Sequence, residues 1–156
     1  MKRVVILGRG GAGKTTLAQA LSTRLHIAPT NLNSLFHKHN ASSTTQWRSQ
    51  QEKLIAKKYW IIDGDLGPND PDLALRLAAA DTIVVLDYPF GLCAWRAFRQ
   101  GKKTGEYWRS MMSYRFRYLP KIKRLIHQHG NHASIHYIHS PWGIPELLNS
   151  TVTQPN

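Results

Sequence analysis

Apolar positions along this chain switch between short continuous runs and helical spacing. Residues 2–7, KRVVIL, end in an apolar run and predict a buried strand. From Gly13 to about Leu25 the apolar residues Leu17, Ala18, Leu21 and Leu25 fall on one helical face. IAPTNL reads as a weak second strand, and SSTTQWRSQQEKLIAKK as a helix in which Ser43 and Gln46 form a capping box. YWIID, residues 59–63, is a third strand. Asp70-Pro71 opens a short helix through Ala79, with proline in the first turn. TIVVLD at 82–87 is a fourth strand, followed by a helix over 91–99. A long helical stretch covers about 106–128, interrupted at Pro120. SIHYIH at 134–139 is the last strand and PELLNS a short final helix. Strands that alternate with helices predict an α/β fold, a parallel sheet with helices on both faces. We expect one domain over residues 1–150 and a flexible tail over 151–156.

Composition narrows the class. The chain has 156 residues, enough for a single core. Its one cysteine, Cys93, offers no disulfide framework and fits a reducing compartment. MKRVVILG has too short an apolar run for a signal peptide, and no segment reaches membrane-spanning length. We therefore expect a cytoplasmic protein without a membrane partner. The formal net charge is +12, and residues 95–124 hold ten Lys and Arg against the single acid Glu106. Such a block attracts polyanions, so nucleic acid enters as a candidate partner. A solvated basic helix face is the plainer reading.

Gly8-Arg9-Gly10-Gly11-Ala12-Gly13-Lys14-Thr15 fits G-x-x-x-x-G-K-[ST], with a strand before it and a helix after. Small residues let the backbone curl so that successive N–H groups converge on phosphate oxygens, and the helix N-terminus adds partial positive charge. Gly8 through Thr16 are the expected ATP-binding residues, with Lys14 on the β- and γ-phosphates and the Thr15 hydroxyl on Mg²⁺. Asp63 ends an apolar strand, the place for a carboxylate that orients Mg²⁺. GTPases need N-K-x-D to read guanine, and no asparagine here precedes a lysine. Small P-loop kinases fit the length.

The arginines sort by angle. Arg96 and Arg99, three apart, share a helical face. On the next helix Trp108, Met112, Leu119, Ile122 and Ile126 form a stripe with Arg115 in its middle and Arg117 opposite. An arginine on an apolar face needs a partner, either a bound phosphate or a core acid. The eight histidines match no zinc spacing.

GRGGAGKTTLAQAL, LNSLFHK, WIIDGD, LRLAAADTIVVLDYP, LCAWRAFR and IHSPWGIPELL together resemble the adenylate-kinase-related P-loop proteins known as DNA topology modulation proteins (FlaR-like). The resemblance covers nearly all of residues 1–149. It implies a P-loop NTPase fold, nucleotide-kinase-like, with a five-stranded parallel sheet of order 2-3-1-4-5 and an arginine-bearing lid. By that resemblance Lys14, Thr15 and Asp63 serve phosphate and metal. Arg96 and Arg99 stand at the lid entrance, and Ser140-Pro141 passes the adenine. The chain departs from the family at Asn33, usually Asp, at Asp65, usually Asn, and at Phe90, where an arginine is frequent. The lid, about residues 100–108, is short. Asn33, Asp65 and Arg76 are the candidate substrate residues. Lys14, Asp63, Arg96, Arg99 and Arg115 are the candidate catalytic residues. The function expected is transfer of the ATP γ-phosphoryl group to a small acceptor, a nucleotide or nucleoside. The alternative is an ATP-binding, nucleic-acid-associated regulator with little kinase turnover.

Overall fold

A computed structural model describes residues 1–38, 44–67, 70–101 and 104–151. The expected Ser43 cap, Lys102 and Lys103 of the lid, and tail residues 152–156 lie outside the described residues. Five strands form one parallel sheet: β1 (Arg3–Gly8), β2 (Pro29–Asn31), β3 (Trp60–Asp63), β4 (Thr82–Leu86) and β5 (Ser134–Ile138). Their order is β2-β3-β1-β4-β5, as the resemblance implied. Alternation along the central strands builds two cores. Val5, Leu7, Ile62, Ile83 and Val85 face one side, and Val4, Ile6, Ile61, Val84 and Leu86 the other. Both faces are apolar because crossover helices cover both.

The first face packs α3 (Thr44–Ile55), α4 (Leu73–Ala79) and α7 (Leu119–His129). The second packs α1 (Lys14–Leu25), α5 (Phe90–Arg99) and α8 (Ile144–Ser150). A helix that periodicity did not predict, α2 (Leu32–Lys38), follows β2. Asn31 starts it: its Oδ1 accepts the Ser34 N–H at 2.9 Å. No helix among the described residues is long and apolar enough to cross a membrane.

The stripe assigned to the long helix requires correction. α6 (Gly105–Ser113) runs into a π-helical turn, Tyr114–Tyr118, which continues into α7. The break therefore precedes Pro120, which sits in the first turn of α7. A π turn carries an extra residue per turn and resets the angular register. Met111, Tyr114, Tyr118 and Leu119 become buried, whereas Met112 is 61% exposed. Arg115 turns outward like Arg117, so it is not an arginine on an apolar face.

Arg76, expected on the substrate side, is also corrected. It is fully buried and donates to Asp70 and to Gln51. Gln51 in turn donates from Nε2 to Asp72 Oδ2 at 2.9 Å. Asp70 also accepts the Leu66 and Asp72 N–H groups at 3.1 Å each. These side chains tie α3, α4 and the loop after β3 together. Arg76 is a structural ion partner because the turn at Asp70-Pro71 folds the carboxylate back over the helix it precedes.

Candidate active site

The site grows from the C-terminal edge of the sheet, where crossover connections leave a crevice. β1 runs straight into the glycine-rich loop. Gly11 and Gly13 adopt φ of 75° and 92°, values that strain any side-chain-bearing residue. A Cβ on Gly11 would strike the Cys93 carbonyl of α5, and one on Gly10 would lie 2.6 Å from the Tyr107 hydroxyl. The glycines are thus required both for the curl and for close approach of α5 and α6. Lys14 opens α1, and its Nζ donates to the carbonyls of Gly8 at 2.7 Å and Arg9 at 3.2 Å. The ammonium is held across the loop mouth.

Strand register supplies the acid. Asn31 of β2 pairs with Asp63 of β3, which pairs with Ile6 of β1. Asp63 is 2% exposed. Its Oδ2 accepts from the Thr15 hydroxyl at 2.6 Å and from Asn31 Nδ2 at 2.8 Å, while Oδ1 is buried without a partner. A buried carboxylate oxygen without a donor suits a cation or its water shell. A hydroxyl and a carboxylate are also the oxygen donors that Mg²⁺ prefers. Thr15 and Asp63 therefore fit that ion. Asn31 was not anticipated; its signal was an amide at the end of a strand whose neighbour ends in Asp63.

Two cavities flank the loop. One, about 570 Å³, is lined by the P-loop glycines, Lys14, Thr15, Thr16, Asn31, Asn33, Asp63 and, from the lid side, Gln100 and Tyr107. Its lining is that expected of a phosphate cleft, and it is called so below. The other, about 480 Å³, is walled by Ala12, Thr16, Leu17, Tyr88, Arg96 and Pro141. Its walls are largely apolar, Arg96 is the charged side chain among the described ones, and Pro141 is part of them. Ser140 is turned to a different hollow beside β5.

The paired arginines diverge. Arg96 reaches the loop, with Nη1 3.5 Å from the Ala12 carbonyl and its guanidinium 5.7 Å from the Tyr88 ring centre. Arg99 is exposed and stacks on Trp95, one turn back, at 4.9 Å. Although the two are helical neighbours, Arg99 stacks on the Trp95 ring and not towards the loop. Asn33 and Asp65 are not brought into one pocket. Asn33 lines the phosphate cleft. Asp65 accepts the Gly67 N–H at 2.9 Å, is not among the cleft's lining residues, and lies close enough to Tyr114 and Tyr118 for its charge to act on both. Burial pushes both phenols far up, and the Asp65 charge adds to the effect. Burial likewise raises the Cys93 thiol.

No protein-family model matches the chain. A stretch of 82 residues is 35% identical to an adenylate kinase of Acidothermus cellulolyticus. The match covers 51% of this chain and 35% of that enzyme, so the chain spans about a third of its curated relative's length. Among solved structures, shikimate kinase from Acinetobacter baumannii in complex with shikimate aligns with a TM-score of 0.68 at 15% identity. That alignment covers 97% of this chain and 91% of that one. Deoxyadenosine kinase from M. mycoides with bound dCTP gives 0.52 at 13%, covering 96% and 97%. The chain has the fold of the P-loop small-molecule kinases.

Proposed function

We propose that the chain is an ATP-dependent phosphotransferase of the nucleotide-kinase-like class, acting on a nucleotide or nucleoside in the cytoplasm. The observation that carries this reading is the contact between Thr15 Oγ1 and Asp63 Oδ2 at the mouth of a complete P-loop. A hydroxyl from the loop and a carboxylate from β3 meet where a γ-phosphate and its metal would be handled. Lys14 neutralises phosphate charge, and Tyr88, Arg96 and Pro141 hold the base. Bound Mg²⁺ would withdraw charge from the β- and γ-oxygens. Asn31 fixes Asp63 by its amide, so the carboxylate need not reorganise during transfer. In the reaction the bond from the γ-phosphorus to the ADP oxygen breaks, and one to the acceptor oxygen forms. Gln100 and Tyr107 cover the cleft from the lid base and help exclude water. A nucleotide-acceptor screen that follows ADP formation tests the reading. Asp63→Asn and Thr15→Ala should each remove turnover. No acceptor-dependent ADP from any nucleoside, nucleotide or small hydroxy acid would refute it.

A second reading has its own support. Trp95 and Phe98 are 57% and 64% exposed, with the Arg99 guanidinium over the Trp95 ring, and Arg109, Arg117, Lys121 and Arg124 of the same basic block are exposed as well. Exposed rings among cations are the make-up of a stacking platform for single-stranded nucleic acid, the partner the resemblance to topology modulation proteins suggests. A salt titration of DNA binding with and without ATP distinguishes it: this reading needs a steep salt slope that ATP alters.

A further inference from the structure

One wall of the phosphate cleft has no part in holding ATP or its metal. α2 supplies it: Asn33, Ser34 and His37 line the cleft together with Lys14, Thr15 and Asp63. Residues three and four apart share a helical face, so Asn33 and Ser34 stand one turn before His37 on the cleft side. The helix is held from behind. Its start is fixed by the bond from the Ser34 N–H to Asn31 Oδ1. Phe36 packs against the first core and meets the Trp47 ring edge-on at 5.0 Å, and Trp47 is 4% exposed. The His37 ring lies across that of Phe36, 6.0 Å between centres, and is itself exposed.

Charge in the cleft restricts what can enter beside ATP. Among the described residues that line it, Lys14 is the one with a permanent positive charge, and the ATP phosphates claim it. The nearby arginines stand elsewhere. Arg96 lines the other cavity, Arg9 packs on Phe90 and Tyr114, and Arg76 is paired with Asp70. A second phosphate would lie next to the first without a counter-cation. Asn33 and Ser34 offer instead an amide and a hydroxyl, which match a neutral hydroxyl-bearing compound.

A hydroxyl must lose its proton as it attacks, and few cleft residues can take one. Asp63 is engaged by Thr15 and Asn31 and suits the metal. Asp65 is not among the lining residues. Asn33 is an amide and Lys14 an ammonium, and neither accepts a proton. Burial raises the Tyr107 phenol, which stays protonated. His37 is left, and imidazole changes charge between about pH 5 and 8.

We infer that His37 is the general base of this cleft and that the acceptor presents a neutral hydroxyl rather than a phosphate; the inference rests on the kinase reading above. An imidazole nitrogen takes the hydroxyl proton as the acceptor oxygen bonds to the γ-phosphorus. The bond from that phosphorus to the ADP oxygen breaks, and its electron pair leaves with ADP. The exposed imidazolium then gives its proton to water. The charged and titratable groups that line the cleft with His37 are Lys14 of the P-loop, Asp63 of β3 and Tyr107 of α6.

The test follows ADP formation with adenosine, glycerol, shikimate, AMP, CMP, GMP and UMP as acceptors. It uses the wild type, His37→Gln and His37→Ala, with a non-hydrolysable ATP analogue titrated separately. A hydroxyl acceptor should outrun every monophosphate. With that acceptor, His37→Gln should lower kcat about 10²-fold or more and leave analogue affinity unchanged. Wild-type kcat should fall on the acid side as imidazole is protonated, and His37→Gln should lose that limb. Added imidazole should restore part of the turnover of His37→Ala, which a merely structural histidine would not allow. A monophosphate as the best acceptor overturns the inference, as does a His37→Gln variant that keeps the wild-type rate or the acid limb. Either result leaves the kinase reading standing. No ADP from any acceptor removes the kinase reading and the base with it.

Discussion

Arg76→Ala tests whether this arginine serves structure or substrate. Its side chain and that of Asp70 are 0% and 1% exposed, and they meet in a direct ion pair. Truncation leaves the Asp70 carboxylate buried with two backbone N–H donors and no cation. It also deprives Gln51 Oε1 of its donor. Breaking one side of a buried pair costs roughly 3–5 kcal/mol. For a chain of this size each kcal/mol moves Tm by about 2–4 °C, so the expected fall is about 6–20 °C. Urea unfolding followed by circular dichroism gives the free energy, and differential scanning calorimetry gives Tm. Asp70→Asn in the Arg76→Ala background removes the stranded charge and should recover part of the loss. A loss below about 1 kcal/mol, with acceptor binding abolished in the folded variant, would refute the structural role and return Arg76 to the substrate.

Lys14→Ala should remove most ATP-analogue affinity by calorimetric titration with Tm little changed, because Nζ meets only loop carbonyls and the cleft. The Asn33→Asp and Asp65→Asn pair should be additive in acceptor turnover, since Asn33 lines the phosphate cleft and Asp65 is not among that cleft's lining residues. Restored activity in the double variant would contradict that separation. Burial holds His136 below the ordinary 6.5. The unfolded chain therefore takes up that proton first. The stability His136 contributes is present above about pH 6.5 and is lost as pH falls through its lowered folded value. His136→Asn should flatten the acid limb of a urea-midpoint against pH profile relative to wild type, and an identical limb would refute the assignment.

Much of this protein is set locally. Alternating apolar runs and helical spacing determine the five strands and most of the helices, because burial on both sheet faces demands such runs. The P-loop is legible for the same reason: glycines at positive φ and a following helix are properties of consecutive residues. The strand order came from the resemblance, and the structure has that order. What the sequence did not determine depends on register and on distant partners. The π turn at Tyr114–Tyr118 shifts every later residue, so 3.6-residue spacing put Arg115 in the middle of the apolar stripe, whereas it is exposed. Arg76 read as a ligand because Asp70 and Gln51, its partners, come together only when α3 and α4 pack. Asn33 and Asp65 follow neighbouring strands, but after the turn at Gly64, with φ of 97°, Asp65 bonds the Gly67 N–H and is not among the residues that line the cleft with Asn33. Arg9 is part of the motif by position, and only tertiary packing decides that its charge is buried between Phe90 and Tyr114, away from the phosphates its backbone surrounds.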